Sequence, residues 1–132
     1  MCAELARFAN ASRDGEAHSV VLTTDWGSDR LVKKNMVMEK DCQHGGYAPG
    51  AALCVYLVEN TSAEFRANNF RRAMSCLGAD VLPREGVRIE RLDGRVTSSS
   101  LKGLKPNIEL TVEASVGSER DPPSLTISAE RL

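Results

Sequence analysis

The chain has 132 residues, of which 42% are hydrophobic and 27% charged, and its formal net charge is −1. That length is about one domain's worth, enough to bury roughly two-thirds of the unfolded surface without a metal or a dense crosslink framework. Near-neutral charge argues against nucleic acid, whose phosphates call for a basic excess, and no run approaches the roughly 18 apolar residues of a membrane span.

Residues 2–10 predict a short helix, because Leu5, Phe8 and Ala9 recur at i, i+3 and i+4. Glu4 and Arg7 interrupt that apolar stretch, which is therefore not read as a signal peptide. Gly15 ends the segment, and His18 to Thr24, rich in β-branched residues, predicts a strand that closes at Asp25-Trp26-Gly27-Ser28. Leu31, Val32, Met36, Val37 and Met38 fit neither period cleanly. A second strand over 31–39, paired with the first, is expected there, with a helix as the alternative. Asp41 to Gly50 predicts a loop, punctuated by Gly45, Gly46, Pro49 and Gly50.

Ala51 to Glu59 is apolar almost all round and predicts a buried helix. Thr61-Ser62-Ala63-Glu64 matches a capping box and opens a second helix to about Leu77. Its inner face is Phe65, Phe70, Ala73, Met74 and Leu77, and Gly78 suits the left-handed stop. From Val81 the pattern turns to strands: Val87 and Ile89 alternate with charge, and Asp93-Gly94 predicts a hairpin. Ile108, Leu110, Val112 and Ala114 alternate with Glu109, Thr111, Glu113 and Ser115; Leu125, Ile127 and Ala129 alternate with Thr126, Ser128 and Glu130. Each of those strands has one buried and one wet face. The expectation is one α+β domain over residues 1–132. A helical hairpin and a short N-terminal helix pack on one face of a mostly antiparallel sheet of four to six strands.

Four cysteines suggest an oxidising compartment, periplasmic or secreted, with a cytoplasmic setting as the alternative. In an antiparallel helical hairpin Cys76 falls level with the loop holding Cys42, so Cys42–Cys76 is the expected bridge. Cys42–Cys54 stays open because the intervening loop is Gly-rich. Cys54 otherwise reads as a buried free thiol, and Cys2 as having no role. A zinc site from Cys42, His44, Cys54 and Cys76 lacks a C-x-x-C pair, and a Cys–His44 nucleophile lacks an orienting group. No metal or cofactor is expected.

No residue set meets the requirements of an active site. His18 reads as a strand-edge residue and His44 as a loop residue. Asp25 and Asp41 read as turn formers, Arg66, Arg71 and Arg72 as a solvated helix face, and Ser98-Ser99-Ser100 as an edge. Glu109, Thr111, Glu113, Thr126, Ser128 and Glu130 would lie together as an acidic, hydroxyl-rich sheet face able to steer a basic protein partner, with His44 and Tyr47 as further candidate contacts. The leading expectation is a non-enzymatic binding module of the inhibitor, immunity-protein or adaptor type, monomer or dimer. The alternatives are a small enzyme or ligand-binding domain with a pocket lined by Trp26, Tyr47 and Tyr56, and a secretion-linked structural subunit pairing through a sheet edge.

Overall fold

The computed structural model describes residues 1–26, 38–63, 66–78, 94–118 and 121–132. In chain order these form helix α1 (Cys2–Asn10), strands β1 (Ala17–Trp26) and β2 (Met38–Gln43), helices α2 (Ala48–Asn60) and α3 (Arg66–Cys76), and strands β3 (Gly94–Ser98), β4 (Ile108–Ser115) and β5 (Ser124–Arg131). The strands make one sheet in the order β2-β1-β5-β4-β3, each neighbouring pair antiparallel. The α+β architecture expected from the sequence is thus the one observed.

Strand periodicity explains the layering. Val20 and Leu22 on β1, Ile108, Leu110 and Val112 on β4, and Leu125, Ile127 and Ala129 on β5 are buried on one face. There they pack with Leu5, Phe8 and Ala9 of α1, Leu53 and Leu57 of α2, and Phe70, Ala73 and Met74 of α3. Each large side chain so buried contributes about 1.5–3 kcal/mol. A one-residue slip of β5 would send Leu125 and Ile127 to the wet face, so this pattern fixes the register. The β4–β5 loop turns at Gly117, whose φ is +77° and whose Cβ, were it present, would stand 2.5 Å from the Asp121 carbonyl oxygen. Only glycine fits that turn.

Several boundaries differ from the sequence reading. The predicted loop over 41–50 is shorter, because β2 continues through Gln43, opposite Val21, and α2 begins at Ala48. Pro49 sits in the first turn of α2, where its missing N–H costs nothing. Of the expected second strand, 31–37 lies outside the described residues; Met38 and Glu39 are strand and pair with β1 as expected.

Glu64 and Phe65 are outside the described residues too, and with them the capping box expected at Thr61. The Thr61 hydroxyl donates to the Leu57 carbonyl at the end of α2. Lys40 Nζ donates to the Val58 and Thr61 carbonyls at 2.8 and 2.7 Å, and Arg72 to the Asn60 carbonyl at 2.7 Å. Two cations therefore sit at the negative end of the α2 dipole. Asn69 of α3 clamps Ser62, accepting from its amide and donating to its carbonyl. Gly78 follows α3 at φ +74°, the expected left-handed stop. The strand over 87–90 and Asp93 lie outside the described residues; Gly94 opens β3.

The disulfides correct the sequence reading most sharply. Cys42 and Cys76 are both bridged, but not to each other: the pairs are Cys2–Cys76 and Cys42–Cys54. Cys42 is on a strand, opposite Leu22 on the helix side of the sheet, directly beneath buried Cys54. Cys42 lies on a strand and not in the loop that the hairpin geometry assumes, and the start of α1 lies beside the end of α3. Cys2 opens α1 and reaches the last residue of α3. Cys54 is therefore no free thiol, and Cys2 has a structural role.

Candidate functional site

The three described helices lie against the same face of the sheet, and on the other face most of the described residues are half-buried or exposed, Asp25 excepted. Register shows what that face carries. Glu109 stands opposite Glu130, Thr111 opposite Ser128, and Glu113 opposite Thr126. The six sheet residues singled out in the sequence therefore form one contiguous surface on the two strands β4 and β5.

The surface is wider than the sequence suggested. Ser19, Val21 and Thr23 of β1 extend it beyond β5, Glu39, Asp41 and Gln43 of β2 extend it to that edge, and Arg95 and Thr97 of β3 to the other. Alternation against Val20 and Leu22 is the signal that marks Ser19 and Thr23 as its members. Ser19, Ser128, Thr111 and Thr97 align as a row of hydroxyls across four strands. Thr97 and Thr111 share a hydrogen bond of 2.8 Å.

Charge on this face is one-sided. Among the described residues, Glu39, Asp41, Glu109, Glu113 and Glu130, with the nearly buried Asp25, are set against Arg95, six carboxylates to one guanidinium, whereas the whole chain has a net charge of only −1. Arg95 holds Glu113 through Nε at 2.9 Å and Nη2 at 2.6 Å. Among the described residues no ion pair involves Glu39, Asp41, Glu109 or Glu130. Asp25 lies beside Glu39 but is almost buried, its carboxylate accepting the Trp26 amide at 3.0 Å.

His44 and Tyr47 belong elsewhere. Tyr47 precedes α2 on the helix side, stacked on His18 with ring centroids 3.6 Å apart and edge-on to Phe8. His44 lies against Gly50 in the same layer. The structure does not bring these two to the sheet face, and their surroundings are those of packing. His18 also bonds Glu16 at 3.1 Å. That hydrogen bond, with one from the Arg13 amide, holds the Glu16 carboxyl below the usual carboxylate range.

The remaining candidates scatter. Trp26 is exposed at the end of β1, Tyr56 lies on α2, and Tyr47 is in the stack, so the three aromatics do not converge. Asp25 and Asp41 are not direct cross-strand partners: Asp25 faces Glu39 and Asp41 faces Thr23. Arg71 donates to Asn68 on its own helix. Ser98 and Ser100 bond each other just past β3. All four cysteines are oxidised, which leaves no thiolate for zinc or for a nucleophile.

Fold and surface together define a twice-bridged α+β domain whose described helices all cover one face of the sheet. Comparison with protein-family models, curated proteins and solved structures finds no match to this chain. Two disulfides fit an oxidising environment. Among the described residues no helix is long and apolar enough to cross a membrane.

Proposed function

We propose that this protein is a non-enzymatic binding module of an oxidising compartment, periplasmic or secreted, that docks a protein partner on the open face of its sheet. The observation that carries the reading is the segregation of the molecule. Every described helix and both disulfides lie on one face, and the described residues of the other face are mainly hydroxyls and carboxylates on the paired strands β2, β1, β5, β4 and β3. Strands hold side chains more rigidly than loops do, so little ordering entropy is lost on contact. Among its described residues the face carries no aromatic side chain, which suits broad contact with another protein rather than capture of a small molecule.

A photo-crosslinking side chain placed at Thr111, at the centre of the face, tests this in extracts of the native compartment. The expected result is one discrete adduct, absent when the same group replaces Ala52 on the exposed side of α2. Adducts at Ala52 and none at Thr111 would overturn the reading.

A further inference from the structure

We infer that the occupant of this face is a basic protein surface presenting two cationic points on the order of 25 Å apart, a spacing set by strand geometry. The inference rests on the docking reading above and adds the chemistry and the orientation of the partner.

Two negative poles carry it. At one end Glu109 and Glu130 are direct cross-strand neighbours, both exposed, with Ala17 beyond Glu130 on β1. Like charges directly opposite each other work against the sheet. An incoming cation converts that repulsion into attraction for both carboxylates at once. At the other end Glu39 and Asp41 share the same face of edge strand β2. Asp41 is level with Ser124 through Thr23, and Glu130 lies further along β5. Six residues along the strand and two to three strand spacings across separate the poles by roughly 20 Å and 12 Å, hence the diagonal of about 25 Å.

The third corner fixes the orientation. Glu113 is already neutralised by Arg95, whose own charge repels a cation placed there. A partner with two cationic points is thus favoured along one diagonal and disfavoured along the other, which is how complementary charge sets register. Between the poles the row of Ser19, Ser128, Thr111 and Thr97 supplies neutral hydrogen-bonding groups. The described residues of the face include none of the aromatic anchors that usually dominate binding energy, so long arginine or lysine side chains of the partner take that part. The same field turns away nucleic acid and anionic lipid surfaces.

The test uses isotope-labelled protein at low ionic strength, followed by amide NMR during titration with alanine-based helical peptides. One peptide carries an arginine pair at each end, separated by about 16 residues and so spanning about 24 Å; a second places the pairs about 7 residues apart. The long peptide is expected to shift amides at both poles together and to bind about tenfold tighter than the short one, because its second contact is intramolecular. Neutralising one pole with Glu109→Gln and Glu130→Gln, both exposed positions, is expected to bring the long peptide down to the affinity of the short one. Equal binding of the two peptides, or shifts confined to the helical face, would overturn the inference. A Thr111 crosslink to a neutral or acidic partner would also overturn it while leaving the docking reading intact; absence of any Thr111 crosslink would remove the docking reading itself.

Discussion

The two disulfides should differ in what they contribute, and the difference is large enough to measure. Cys42–Cys54 closes a sequence separation of 12 and Cys2–Cys76 one of 74. The chain-entropy model assigns about 2.8 kcal/mol to the first and about 4.4 kcal/mol to the second. With an unfolding entropy of about 0.28 kcal/mol/K for a chain of this length, reduction should lower Tm by about 10 °C and about 16 °C respectively. The clean comparison uses two variants, Cys42→Ala with Cys54→Ala and Cys2→Ala with Cys76→Ala, each melted with and without reductant. Within one variant the sequence is constant, so cavity effects at buried Cys54 cancel. The short bridge ties an edge strand to the helix lying on it, whereas the long one ties the first helical residue to the last residue of α3. If the variant that keeps only Cys42–Cys54 loses as much on reduction as the variant that keeps only Cys2–Cys76, or more, the entropic reasoning is refuted. Fraying of α1 in the native state would then be absorbing the constraint.

Three further outcomes follow from local geometry. Lys40→Met removes both side-chain bonds to the end of α2 and should cost about 1 kcal/mol, a discounted figure because the ammonium is partly in water; urea unfolding should show a lower midpoint at unchanged slope. Gly117→Ala forces a Cβ against the Asp121 carbonyl at positive φ and should cost about 2 kcal/mol or more, read in the same assay. Glu16 has its folded pKa depressed, chiefly by His18, so its contribution is present above the unfolded carboxylate range and is lost as pH falls through the folded value. The stability gap between the natural protein and Glu16→Gln should therefore close on acidification through that window; a gap that widens there would contradict the assignment.

Some of this architecture was legible in the sequence, for physical reasons that differ from element to element. The alternation of Ile108 to Ser115 and Leu125 to Glu130 is read directly, because a strand with one wet face repeats every two residues. The stripe of α1 is equally direct. Helix ends were harder: Pro49 marks either a loop or a first turn, and only the packing of α2 over β1 and β2 decides. Thr61 has the right chemistry for either helix, and its hydroxyl donates back to the one it ends. Cysteine pairing is a tertiary property, invisible until Cys42 is placed on a strand and the start of α1 beside the end of α3. The sheet face was half legible for the same reason. Its β4 and β5 residues alternate cleanly, but the share of β1 and β2 depends on strand order, which puts β1 beside β5. Tyr47 looked like an exposed loop aromatic and is instead packed on His18 and Phe8, a contact that no local pattern announces.

On the docking reading we propose, the acidic sheet face gives up some stability to hold charge for a partner. Glu130→Lys tests it most directly, with Tm and affinity for the Thr111-crosslinked partner measured on the same preparation. Opposite Glu109, the lysine replaces repulsion by a cross-strand ion pair worth roughly 0.2–1 kcal/mol. The account predicts that Tm rises while affinity falls about tenfold or more. A variant that is no more stable and binds as well as the natural protein would contradict it.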